Sequence, residues 1–61
     1  MLVKFRAYEN NTDILINSDD ISRVLVKDEY RGTENSIIYM KDGTRISVRE
    51  SVDQVHLKVA E

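Results

Sequence analysis

Few side chains in this sequence could do chemistry. His56 is the single histidine, and there is no cysteine. A zinc site needs several Cys or His ligands at characteristic spacing, and His56 has none, so it reads as a structural or solvated residue. Asp13, Asp19 and Asp20 are acidic but lack the Asp-x-Asp-x-Asp-Gly spacing of a calcium loop. Their expected work is turn formation and capping. With only Gly32 and Gly43, the chain has no glycine-rich phosphate loop. Its serines sit outside any nucleophile motif. Acid–base catalysis by paired carboxylates would need a cleft to raise one pKa, and a domain this small rarely encloses one. The expectation is a protein that is not an enzyme, with no metal and no cofactor.

The elements that position these residues must come from one small domain, residues 1–61. A chain of this size buries only about 60% of the surface its unfolded form exposes. Apolar residues make up 41% and charged residues 33%, enough for one thin core on a well-solvated chain. Without disulfides, such a core is often supplemented by self-association or by docking on a partner. The net charge of −2 creates no bulk field toward nucleic acid or anionic lipid. Lys4 and Arg6 interrupt the amino-terminal residues, so no signal peptide is expected. The longest apolar run is four residues, Ile37 to Met40, against about 20 for a membrane span. A cytoplasmic location without membrane contact is the expectation, and Asn10-Asn11-Thr12 then reads as a polar turn.

Val3, Phe5 and Ala7 alternate with Lys4, Arg6 and Tyr8, the period of a half-buried strand. Glu9 to Asp13 are turn formers, and Ile14-Leu15-Ile16 follows as a second strand antiparallel to the first. Asn17 to Asp20 break it by bonding their own backbone, with room for a single helical turn. Ile21 to Lys27 is rich in β-branched residues and reads as a third strand. Asp28 to Ser36 reads as a polar, mobile loop. Two β-prone runs, Ile37–Lys41 and Thr44–Arg49, flank Asp42-Gly43, which predicts a type I′ hairpin. Ser51 and Gln54 form a capping box, and Val52, Val55 and Val59 then share one helical face. Val55, Leu57 and Val59 also alternate as in a strand; the cap favours a short helix. The fold class is mainly β: a small antiparallel sheet of four to five strands with a short C-terminal helix.

A two-residue turn at Asp42-Gly43 would set Met40 opposite Arg45, Tyr39 opposite Ile46, Ile38 opposite Ser47 and Ile37 opposite Val48. Opposed residues share a face. Ile37, Tyr39, Ile46 and Val48 would then face the core. Ile38 and Met40 would lie outside, beside Arg45, Ser47 and Arg49. That mixed face has two readings. It is a solvated or partly covered surface, or it binds a protein partner through Ile38 and Met40 as apolar anchors with Arg45 and Arg49 as the rim. Open sheet edges add a route to a homo-oligomer. The rival is a nucleic-acid surface: Lys4, Arg6, Arg45 and Arg49 would line one side if their strands are neighbours, and binding would be backbone-driven and salt-dependent.

The stretch Ile14-Leu15-Ile16-Asn17-Ser18-Asp19-Asp20-Ile21, followed by Ile37 to Val55 and ending Val48-Arg49-Glu50-Ser51-Val52-Asp53-Gln54-Val55, resembles the small FlbD-type proteins of bacterial flagellar operons. Those run from a short strand through an Asn-containing turn into a strand, a hairpin and a helix start. The Lys41-Asp42-Gly43 and Val48-Arg49-Glu50-Ser51 segments are also similar to the first half of LytTR-type DNA-binding domains. β-Hairpin physics alone would give the same pattern in small phage or mobile-element proteins of unrelated origin. The resemblance implies an accessory or regulatory protein that acts by contact. The favoured function is protein–protein interaction with self-association; the alternative is nucleic-acid binding.

Overall fold

A computed structural model describes residues 1–30 and 32–60. The chain is mainly β with one carboxyl-terminal helix. Strands β1 (Leu2–Arg6) and β2 (Asp13–Asn17) pair antiparallel, with Val3 opposite Ile16 and Phe5 opposite Ile14. The turn between them is closed by Asn11, whose positive φ of 55° suits an asparagine, and by Asn10, whose side chain accepts from the Thr12 N–H and hydroxyl. A 3-10 turn at Ser18–Asp20 leads out of β2. Asn17 caps it by accepting from the Asp19 N–H at 3.1 Å.

Strands β3 (Ile21–Tyr30), β4 (Thr33–Met40) and β5 (Arg45–Val48) form a three-stranded meander in the order β3-β4-β5. The two sheets are joined where β1 runs on past its end. Ala7 bridges Val48, the Tyr8 N–H donates to the Ser47 carbonyl, and the Arg49 N–H donates to the Arg6 carbonyl. The strands therefore follow one another around a curled surface, β2-β1-β5-β4-β3.

The polar segment Asp28 to Ser36 is not a loop. Asp28 pairs with Asn35, Glu29 with Glu34 and Tyr30 with Thr33, so both strands extend into it. Arg31 lies outside the described residues. Polar content misleads here because the ladder uses backbone groups whatever side chains it carries, and Asn35 and Ser36 are buried in it. Irregularities between Ile21 and Arg23 and between Val26 and Asp28 interrupt the alternation along β3.

The Asp42-Gly43 reversal also differs from the type I′ expectation. The Gly43 N–H donates to the Met40 carbonyl at 3.1 Å, and the Met40 N–H donates to the Thr44 carbonyl at 2.8 Å. This encloses three residues, Lys41 to Gly43, of which only Gly43 has positive φ, at 94°. It is a turn followed by a left-handed glycine bulge. Asp42 keeps ordinary φ and accepts from the Thr44 N–H at 2.9 Å and from its hydroxyl at 2.6 Å. The extra loop residue shifts the register by one. Ser36 opposes Val48, Ile37 opposes Ser47, Ile38 opposes Ile46 and Tyr39 opposes Arg45.

Ile38 is therefore fully enclosed, together with Phe5, Ile16, Val48 and Val55. Val3, Ile14, Ile21, Val24, Met40, Ile46 and Val59 pack around them. Of the expected core face, Ile46 and Val48 turn inward while Ile37 and Tyr39 lie on the outer side. Helix α1 (Val52–Ala60) covers the inner side. The capping box forms as expected: the Ser51 N–H donates to Gln54 Oε1 at 2.9 Å, and the Gln54 N–H donates to Ser51 Oγ at 3.1 Å.

A second tie holds α1 to the sheet. The Glu50 carboxylate accepts from the Arg6 N–H, at 3.1 Å to each oxygen, and from Lys58 Nζ at 3.1 Å. Lys58 Nζ also donates to the Lys4 carbonyl at 2.8 Å. One carboxylate thus serves a strand N–H and a helix cation together.

Four variants test this packing and its turn. Ile38→Ala should cost about 2–5 kcal/mol in urea unfolding, a large share of the stability of so small a domain. Leu25→Ala, on the outer side, should cost under about 1 kcal/mol; equal losses would contradict the register. Glu50→Ala, which removes an acceptor from the Arg6 N–H and leaves Lys58 only the Lys4 carbonyl, should cost about 1 kcal/mol, read by the same method. The Thr44 hydroxyl, and then its N–H, hold the Asp42 carboxyl below its ordinary 3.8. A lowered native pKa adds stability that is present above the ordinary value and lost as pH falls through the native one. Thr44→Val should therefore flatten the acid limb of a stability-against-pH curve.

Candidate functional site

The one-residue shift separates the anchors from their rim. Ile38 lies in the core and cannot be an exposed anchor. Met40, on the same inward side, packs against that core. Arg45 and Arg49 are exposed on the opposite side of the sheet. The expected surface of Ile38, Met40, Arg45 and Arg49 is not a single face, because with two isoleucines in a row the turn length alone decides which one points out.

What occupies the outer side is a different set. Across β3, β4 and β5, Arg23, Tyr39 and Arg45 stand in one row, and Leu25, Ile37 and Ser47 in the next. The Arg23 guanidinium lies 4.6 Å from the centre of the Tyr39 ring, a cation–π contact. Further along, Tyr8 follows the Ala7–Val48 bridge and falls beside Ser47. Lys27 Nζ lies 5.0 Å from the Tyr8 ring centre and the Arg49 guanidinium 5.5 Å from it. Arg49 is held there by donating from Nε and Nη2 to the Tyr8 carbonyl at 3.1 and 2.8 Å. The face thus holds two phenol rings, each with a cation over it, and an apolar strip of Leu25 and Ile37 between them.

Its charge is lopsided. Arg23, Lys27, Arg45 and Arg49 are all exposed. The carboxylate beside them, Asp28, accepts from Asn35 Nδ2 at 2.8 Å and from the Tyr8 hydroxyl at 3.4 Å. Ion pairs among the described residues join the N-terminus to Asp19, Lys4 and Arg6 to Asp13, and Lys58 to Glu50; none uses these four cations. On the inner side Glu34 instead accepts from the Val52 N–H at the start of α1, at 3.3 Å. The outer side of the meander thus carries Arg23, Lys27, Arg45 and Arg49 beside Asp28, while Glu34 faces α1.

The alternative set, Lys4, Arg6, Arg45 and Arg49, meets its geometric condition in part. β1 does neighbour β5 through Ala7 and Val48. Asp13, however, lies 4.0 Å from Lys4 Nζ and 3.4 Å from Arg6 Nη2, and Arg6 Nη1 also donates to the Asn11 carbonyl. Lys4 and Arg6 are engaged locally, whereas Arg45 and Arg49 belong to the cationic face. Sequence reasoning missed Arg23, Lys27, Tyr8 and Tyr39 as members. Part of the signal was present: Arg23, Leu25 and Lys27 alternate with Val24 and Val26, which separates cations from β-branched residues along β3.

Elsewhere, a groove of about 220 Å³ runs between β3 and α1, lined by Ile21, Val24, Val52, Val55, His56 and Val59. Among the described residues, no three His, Cys, Asp or Glu side chains gather as metal ligands. No helix among the described residues is long and apolar enough to cross a membrane. Compared with protein-family models, with curated proteins and with solved structures, the chain matches none.

The cations of this face are free to act outward if they hold little of the fold. Arg23→Gln should then cost no more than about 1 kcal/mol, the size of an exposed cation–π contact. A larger loss on denaturation would make Arg23 a structural residue.

Proposed function

We propose that this protein acts without catalysis, as an accessory or regulatory module that works by contact, and that its binding surface is the outer face of β3, β4 and β5. The partner carries negative charge. One observation carries this reading. On a chain of net charge −2, Arg23, Lys27, Arg45 and Arg49 share one side, and among the described residues none of them pairs with a carboxylate. Leaving four cations together costs some self-repulsion, which an anionic partner relieves. Arginine and tyrosine are also the residue types that dominate the energetics of interfaces.

Self-association is a second reading, and it belongs to the other side of the molecule. A two-fold dimer brings identical patches together, so a cationic face would repel its copy. The groove between β3 and α1 is apolar and has no such objection. The exposed edge of β3 is a poorer route, because its two irregularities disturb the regular spacing that another strand needs.

The charge sorting has a direct test. At pH 7 and low salt the protein should be retained on a phosphocellulose matrix despite its net negative charge. The double variant Arg23→Gln/Arg45→Gln should pass through. Unretained wild-type protein would contradict the reading.

A further inference from the structure

We infer that the partner of the outer face is a single-stranded nucleic acid, whose bases stack at Tyr39 and Tyr8 while its phosphates meet Arg23, Lys27, Arg45 and Arg49. The inference rests on the anionic-partner reading and adds the chemistry that the rings imply. Flexible cations alone would suit any polyanion. Here the face also presents flat π-surfaces: Tyr39 with the Arg23 guanidinium 4.6 Å from its centre, and Tyr8 with Arg49 5.5 Å from its centre. Guanidinium and phenol planes are the surfaces on which unpaired bases stack.

The spacing also suits a strand of nucleotides. Tyr39 and Ile37 are two residues apart on β4, so successive outward rows lie about 7 Å apart. The row of Tyr39 with its two arginines is followed by Leu25, Ile37 and Ser47, and then by Asp28 and Asn35 near Tyr8. Two stacking points thus border an apolar strip, Tyr39 in the row before it and Tyr8 beside Ser47 at its end, with cations at both and the Asp28 carboxylate at the Tyr8 hydroxyl. A duplex hides its base faces and would use only the cations. Polyglutamate brings the charge without an aromatic ring to stack on the phenols. The pairing of rings with cations on one open face is what singles out unpaired bases.

The test is fluorescence anisotropy with labelled oligothymidine, with the same sequence as a duplex, and with polyglutamate as competitor, at several salt concentrations. Oligothymidine should bind more tightly than duplex and resist polyglutamate. Tyr39→Leu should weaken it roughly 5- to 100-fold, whereas Tyr39→Phe should retain it. Arg45→Gln, at an exposed position, should lower the slope of log K against log salt by about 0.7. Circular dichroism checks that each variant is folded, and Arg23→Gln serves as the second probe of the Tyr39 row should Tyr39→Leu unfold. Duplex binding as tight as single-strand binding, or polyglutamate displacing oligothymidine with Tyr39→Leu without effect, would overturn the nucleic-acid inference and leave the anionic-partner reading standing. Absence of binding to all three polyanions at low salt would bring both down.

Discussion

The reversal between Met40 and Thr44 decides which side of β4 faces the core. Gly43 takes the left-handed conformation, and Asp42 accepts both the N–H and the hydroxyl of Thr44. Together they enclose three residues where a type I′ turn would enclose two. Because side chains alternate with period two, one residue of register exchanges every side chain on β4 between inside and outside. Ile38 then meets Val24, Ile46 and the helix, and Tyr39 is left outside between two arginines. The candidate face and the core are two consequences of the same turn.

The rest of the structure is consistent with that choice. Tyr39 lies on the outer side, and its ring gains the Arg23 guanidinium as a cover. On the inside, α1 supplies Val55 and Val59 to the core, and Glu50 ties the strand N–H of Arg6 to Lys58 of the helix. Charged groups that serve the fold therefore lie at its inner and rear edges. On the outer face Arg49 holds the Tyr8 carbonyl, whereas Arg23, Lys27 and Arg45 join no ion pair among the described residues, and this asymmetry makes the face a candidate for recognition.

Much of the architecture was legible in the residues. Alternation in β1, the breaker at Asn17 to Asp20, the β-branched run from Ile21 and the Ser51–Gln54 box all correspond to elements of the structure. The hairpin's existence was legible too, since Asp-Gly between β-prone runs is a strong local signal. Its register was not. Asp-Gly serves both a type I′ turn and a glycine bulge, and adjacent isoleucines at 37 and 38 offer no parity to choose between them. The same ambiguity hid the site: Arg45 and Arg49 were recognised as outward, but they were grouped with residues that turn inward. The polar run from Asp28 to Ser36 concealed a strand pair because its pairing is carried by backbone groups and by the side-chain bond from Asn35 to Asp28.

The register itself can be measured without reference to any partner. Cross-strand backbone nuclear Overhauser effects in β4 and β5 distinguish the two pairings at single-residue resolution. Contacts linking Ile38 with Ile46 and Tyr39 with Arg45 are expected. Contacts linking Ile38 with Ser47 and Tyr39 with Ile46 would contradict this register, returning Tyr39 to the core and dissolving the face.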